Sequence, residues 1–395
     1  MTRKGNCIPL LVGLVWFLLS SSLQALPIYA QGDFKADFSG YLQEQELYTP
    51  DFFGFELDLS STRFRPVLDF QFGRGVSAEF SQTLQASAGG ALDNPVYVLA
   101  GKAQPYTFFK WDKRLSEEDD FWLDYSVYRA WLAYEDEKIK VVVGRQRIAF
   151  GSANFYSPMD LFNPVSPLSL EPQERVGVDG ASFEYDYNPT TFLTLALGLA
   201  DQSDRRRMAA YFKTTVKSYD LHFLIAQIFT DYVLGFGFSG YLQGGGLYGE
   251  VTYTMPQEMT FEPDQGNYFR TTLGYQYSFK NAMILTAEYY HNDGVISGLA
   301  LQNPALLFSS ESGLTTVDRN FLAASLSAQV TPILTSNAAI VYDLDAGSYF
   351  LGPSLTFSAP HSVTLAAGAQ IFDGSKHGDF GLMPSFLWGR VKWDF

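Results

Sequence analysis

Ser385-Phe386-Leu387-Trp388-Gly389-Arg390-Val391-Lys392-Trp393-Asp394-Phe395 closes the chain. Read as a strand, Leu387, Gly389, Val391, Trp393 and Phe395 share one face, and Phe386, Trp388, Arg390, Lys392 and Asp394 share the other. Strict alternation marks a strand lying between two environments. Here the apolar face persists to the last residue while the opposite face carries charge. A water-soluble domain buries such a face and frays at its terminus. A strand with lipid on one side and water on the other keeps both faces to its end.

The same alternation recurs upstream. In Ser77–Ala86, Ala78, Phe80, Leu84 and Ala86 oppose Ser77, Glu79, Ser81, Thr83 and Gln85. In Leu247–Met255, Leu247, Val251, Tyr253 and Met255 oppose Tyr248, Glu250, Thr252 and Thr254. Tyr268–Phe279, Arg319–Val330 and Ser362–Ile371 repeat the pattern. Inward Arg and Glu would be costly in a sandwich core and cost little in a wet lumen. Two stretches break the pattern. Parity changes between Phe55 and Phe72, which predicts a bulge near Ser61–Thr62, and Leu221–Thr230 is apolar on both faces and gives no orientation.

The connections alternate in length. Short turns are expected at Gly73-Arg74-Gly75, Asp136-Glu137-Lys138, Asn188-Pro189-Thr190, Ser218-Tyr219, Gln243–Gly246, Lys280-Asn281, Thr331-Pro332 and Ser358–His361. Longer segments fall between them: Ala88–Asp120, Phe150–Glu174, Asp201–Arg207, Pro256–Asn267, Asn292–Asp318, Asp343–Ser348 and Asp373–Asp379. Short turns on one side and long loops on the other are the rule for outer-membrane barrels, with both termini on the short-turn, periplasmic side. The reading is an all-β, up-and-down antiparallel transmembrane β-barrel of about 18 strands, or about 16 if the weakest turn, at Asp231, is not one.

The N-terminus reads as a secretory signal: Arg3 and Lys4, an apolar run from Ile8 to Leu19, then Ser20–Ser22, with cleavage placed after Ala30. Residues 31–395 are then one barrel domain. Cleavage removes the single cysteine, Cys7, which fits a fold held by closed hydrogen bonding rather than by disulfides. The chain carries 27 basic and 42 acidic residues, net −15, and losing Arg3 and Lys4 lowers this to −17. That balance argues against nucleic-acid binding. Tyrosine and phenylalanine number 24 and 34, in keeping with aromatic girdles.

Two resemblances follow from these residues. The set Leu387, Gly389, Val391, Trp393 and Phe395 resembles the C-terminal signal that the barrel-assembly machinery reads in bacterial outer-membrane barrels. Gly144-Arg145-Gln146, Gly151 and the Asp160-Leu161-Phe162-Asn163-Pro164 loop resemble a group of porin-like outer-membrane proteins, and the general plan is similar to alginate-export-type porins. The resemblance implies a passive channel for small hydrophilic or charged solutes, with no cofactor and no catalytic centre. A structural or adhesive barrel stays as an alternative. So does a barrel enzyme of protease or phospholipase type, with His291 as its one candidate.

Pro158, Pro164 and Pro167 stiffen the loop after Arg147, so it is able to fold inward and narrow a pore. Arg145, Arg147, Asp160 and Arg175 would then form a charged constriction, or would brace the loop by pairing with one another. Residues expected to line the lumen are Glu56, Asp58, Arg63, Arg65, Asp69, Glu79, Glu250, Arg270, Glu288, Arg319, Arg390 and Lys392. Arg205-Arg206-Arg207 on an external loop is either a contact for lipopolysaccharide phosphates or a solvated run. Gly235-Phe236-Gly237-Phe238-Ser239-Gly240 has the dinucleotide spacing but no following helix, so it reads as a small-residue lumen face. The four histidines lack metal-ligand spacing.

Overall fold

The computed structural model describes residues 26–52, 55–94, 107–164, 166–175, 177–202, 205–257, 266–295 and 316–395. Most of the expected signal segment lies outside these residues, as do the central parts of three long loops. The strands are β1 (Leu26–Gln31), β2 (Phe34–Phe52), β3 (Phe55–Gly73), β4 (Val76–Ala88), β5 (Lys113–Glu118), β6 (Phe121–Glu135), β7 (Ile139–Gln146), β8 (Val178–Asn188), β9 (Thr191–Gly198) and β10 (Arg207–Val216). They continue as β11 (Tyr219–Ile228), β12 (Asp231–Leu242), β13 (Gly245–Met255), β14 (Tyr268–Ser278), β15 (Met283–Asn292), β16 (Asn320–Thr331), β17 (Leu334–Asp343), β18 (Ser348–Ala359), β19 (Val363–Gly374) and β20 (Phe386–Asp394).

Every ladder is antiparallel, and β2 pairs with β20 from Tyr41↔Asp394 to Tyr48↔Leu387, which closes the sheet. The barrel wall has 18 strands, because β1 and β5 fill in beside it. β1 pairs only with the lower part of β2, and the boundary expected after Ala30 falls inside it. β5, inside a segment read as loop, pairs with the outer half of β6. It occupies the edge that β7 leaves when the chain turns inward after Gln146.

The expected short turns fall between paired strands, and the hairpin at Asp231 exists, joining β11 to β12. Among the described residues, those other than glycine with positive φ are Arg74, Lys217, Phe229, Gln243, Ala282, His361 and Ser362, all at hairpin turns. Tight hairpins need such values to match the right-handed twist of the strands. Among the described residues no helix is long and apolar enough to cross a membrane.

The outer surface is apolar, with Leu132, Leu195, Ile225, Leu234, Leu273, Leu322, Leu355 and Leu387 among its exposed side chains. The terminal Phe395 exchanges two backbone hydrogen bonds of 3.0 Å with Gly40 and packs near the rings of Phe38 and Phe64. The last residue of the chain therefore helps close the seam between β20 and β2.

The β2–β3 ladder runs without a shift from Lys35↔Gln71 to Thr49↔Leu57, so no bulge occurs at Ser61–Thr62. Leu57 and Leu59 share the inward face with Arg63 and Arg65, while Glu56 and Asp58 lie on the opposite face, not in the lumen. The cause is a small apolar cluster at the mouth. Ala91 and Leu92, in a short turn of 3-10 helix, bury Leu57 and Leu59 together with Trp122. Asp58 accepts a bond from the Gly90 N–H, and Glu56 one from the Tyr48 hydroxyl.

Candidate functional site: a loop held across the lumen

Residues 147–177 leave the wall at the end of β7 and re-enter it at β8. Between these points the segment crosses the barrel interior and touches strands on several sides. Its two halves are held by different chemistry.

The first half is dry. Ile148, Phe150, Met159 and Phe162 pack with the inward residues Val178, Ala196, Ala209, Tyr211, Leu224, Ala226 and Val233 of β8–β12. Met159 is 0% exposed and Phe162 1%. Gly235 and Gly237 make room for Met159: a β-carbon on Gly237 would lie 3.1 Å from its sulfur. Phe155 and Tyr156 pack into a second cluster with Tyr290, Phe321, Phe350, Phe372 and Phe380. The Tyr156 and Tyr290 rings stack at 4.4 Å.

This half also gives its backbone donors to two wall carboxylates. Glu250 on β13 accepts from the N–H groups of Ser152, Ala153 (2.9 Å) and Met159 (3.2 Å), and from the Ser157 hydroxyl at 2.8 Å. Glu288 on β15 accepts from the N–H groups of Asn154 (3.0 Å), Phe155 (3.2 Å) and Tyr156 (2.8 Å), and from the Tyr248 hydroxyl at 3.0 Å. The Thr272 hydroxyl donates to the Tyr156 carbonyl at 2.6 Å.

The second half is wet, and its side chains carry the charge. Glu171 meets Arg63 at 2.9 Å and Arg390 at 3.6 Å, and accepts from the Gln43 amide at 3.0 Å. Glu174 pairs with Arg65 and accepts from the Tyr41 hydroxyl at 3.1 Å. Arg390 and Gln370 donate to the carbonyls of Leu170 and Leu168, and Arg129 donates to that of Arg175 at 2.7 Å. The Glu171, Arg390, Arg63, Glu174 and Lys392 side chains retain 15%, 15%, 19%, 24% and 31% of their surface, so water reaches this wall.

The carboxyls of the two halves differ accordingly. Burial pushes Asp160 up to about 7, against the pull of Arg175, which it contacts. Burial also works to raise Glu171, but Arg63 and Arg390 outweigh it and hold that carboxyl below its ordinary value.

The four residues of the expected constriction separate. Arg145 is 1% exposed and is bound to Asp179 at 2.7 Å, with Asp112 and the carbonyls of Val127 and Phe109 completing its shell. It fastens residues 109–112 to the wall at the point where β7 departs. Arg147 is exposed, and Asp160 and Arg175 pair within the loop.

Of the lumen set, Arg63, Arg65, Arg390, Glu250 and Glu288 all touch the loop. Asp69 and Glu79 lie opposite each other across the β3–β4 ladder, with Asp37 opposite Asp69 on β2. Arg270 donates to Asn292 at 3.1 Å. Lys392 lies 4.4 Å from the Tyr41 ring centroid. Arg319 is largely exposed at the outer end.

The arginine run divides as well: Arg205 and Arg207 lie against the Phe229 ring, Arg207 also donates to the Phe162 carbonyl, and Arg206 is exposed. His291 is held by Asn320 at 2.8 Å and Asp293 at 3.2 Å.

Sequence reading missed Glu171, Glu174, Tyr41, Gln43 and Arg129. One signal was present: β11, apolar on both faces, and the inward glycines of β12 mark the wall that receives Met159 and Phe162.

At the outer rim, Asp318, Asp343 and Asp345 bring carboxylate oxygens within 4.8 Å of one another. Burial, with Asp343 beside each, pushes Asp318 and Asp379 up to about 7. Asp379 accepts from the Val317 and Asp318 N–H groups, and Asp345 from those of Arg319 and Asn320, so the cluster ties the outer loops together.

No family model and no curated protein matches the chain. Solved structures do resemble it in fold. Acinetobacter baumannii OccAB1 is 10% identical over 94% of this chain and 99% of its own, with a TM-score of 0.59. OccAB4 of the same organism is 11% identical over 92% and 98%, with a TM-score of 0.57. Pseudomonas aeruginosa OccD3 (OpdP) is 11% identical over 95% and 94%, with a TM-score of 0.54.

Proposed function

We propose that this protein is a porin-like channel of the bacterial outer membrane, passing small hydrophilic or charged solutes by diffusion. The observation that carries the reading is the asymmetry of the loop that crosses the barrel. On one side the loop is sealed to the wall by residues such as Met159 and Phe162, and on the other, charged side chains of loop and wall keep part of their surface in water. A solute would pass along the β20–β2–β3 wall, beside the ion pairs that Glu171 and Glu174 of the loop make with Arg63, Arg65 and Arg390, and past Lys392. Hydrogen-bonding and charged groups at such a narrowing replace part of a solute's hydration. Diffusion needs neither a nucleophile nor a cofactor.

Several expectations belong to the same proposal. The apolar outer band would sit in lipid, with Leu387, Gly389, Val391, Trp393 and Phe395 read by the assembly machinery. Residues 1–30 would be removed on export. Within the arginine run, the exposed Arg206 would face lipopolysaccharide phosphate.

The test is single-channel recording of the refolded barrel in a planar bilayer, with a reversal potential under a salt gradient. Steady open steps are expected. Absence of conductance from protein with intact β-sheet circular dichroism would overturn the channel reading.

A further inference from the structure

We infer that Glu250 and Glu288 are positioning residues of the constriction: two wall carboxylates that strap residues 152–159 across the lumen through their backbone N–H groups and so set the width of the passage. The inference rests on the channel reading above.

A buried carboxylate needs compensation. Glu250 is 3% exposed and Glu288 2%. Among the described residues neither forms an ion pair with Lys or Arg, and their hydrogen-bond donors are loop N–H groups, loop hydroxyls and the Tyr248 hydroxyl. Six successive or nearby N–H groups, those of Ser152, Ala153, Asn154, Phe155, Tyr156 and Met159, converge on the two side chains. Convergent backbone N–H groups form an anion-binding concavity. The strap is therefore the counter-charge of the wall, and lifting it would strand two carboxylates.

The local sequence is built for this. Gly151 has φ +94°, and a β-carbon there would collide with Ser157 Oγ and lie 2.7 Å from Glu250 Oε1. Only glycine lets the chain curl this tightly around the carboxylate.

The same geometry makes the strap responsive to the anion it holds. Truncating Glu250 to Ala leaves a nest of N–H donors with a gap of carboxylate size, which formate fits chemically. The experiment compares wild type, Glu250→Ala, Glu288→Ala and Gly151→Ala as refolded full barrels, with and without sodium formate against sodium chloride at equal ionic strength. Two readouts are used: unitary conductance, and the rate of tryptic cutting at Arg147 and Arg175, which flank the strap.

All three variants are expected to show larger, noisier conductance and faster cutting than wild type. Formate is expected to return Glu250→Ala toward wild type, to leave wild type unchanged, and to fail on Gly151→Ala, whose carboxylate is still present. Variants that conduct and cut like wild type would overturn the strap while leaving the channel reading intact. A folded wild type that does not conduct would overturn the channel reading, and unchanged cutting in the variants would then overturn the strap separately. If Glu250→Ala does not fold, Glu250→Gln replaces it: an amide of the same shape turns a donor toward the N–H groups, and loosening without formate rescue is the expected result.

Discussion

The two halves of the inward loop make opposite bargains with the wall. Residues 148–162 offer backbone N–H groups and apolar side chains, and the wall supplies carboxylates and an apolar lining. Residues 168–175 offer carboxylates and carbonyls, and the wall supplies guanidinium groups. The first half excludes water and is held by contacts that vary steeply with shape. The second keeps part of its charged surface in water, so its ion pairs add to the local field and contribute less to stability than fully buried contacts do. One segment thus serves as a seal on one side and as a charged edge on the other.

The difference can be broken first at the seal. Phe162→Ala should cost ~3–5 kcal/mol, because a ring buried on all sides leaves a cavity, and Phe162 is 1% exposed. Urea unfolding in detergent measures it. A cost within the range of a surface substitution would show that the loop is not anchored there.

In the wet half, Glu171→Gln should cost about 1–2 kcal/mol, between an exposed pair and a fully buried one, since both partners keep 15–19% of their surface. It should nonetheless shift the reversal potential toward anions, since Arg63 and Arg390 lose a neutralising partner. An unchanged potential would place the ion path elsewhere.

The finest contrast is in pH. Asp160 has its carboxyl pushed up to about 7 from an ordinary 3.8, so the folded state binds its proton more tightly. Its contribution favours the folded state in acid and is lost as pH rises from about 4 through 7. Glu171 is held low, so its contribution is present above its ordinary 4.5 and is lost only on further acidification. Between pH 7 and 5 the dry half should therefore tighten while the wet half does not change. Tryptic cutting at Arg147, the exposed residue that leads into the dry half, should report the trend across that window, and Asp160→Asn should flatten it. A slope that survives Asp160→Asn would assign it to another group, such as Asp318 or Asp379 at the rim.

What was legible in advance was what repeats locally. The alternation of Leu247–Met255 orients β13 with Glu250 inward, and the short turns are marked by their own residues. Leu221–Thr230 resisted orientation because the inward partners of Leu224 and Ala226 are Met159 and Phe162, far off in sequence. Glu56 and Asp58 were misplaced because Ala91 and Leu92 enter the mouth and bury Leu57 and Leu59. β5 escaped notice because it pairs with an edge that exists only once β7 has left the wall.

The sequence by itself determined the closed barrel, its hairpins and the sidedness of most strands, because a period of two and a tight turn are properties of neighbouring residues. Only the tertiary structure decided that Glu250 and Glu288 would hold a loop rather than face open water, and that Arg145 would fasten the wall. Those roles depend on which distant backbone arrives beside each side chain, and alternation along a strand carries no record of that.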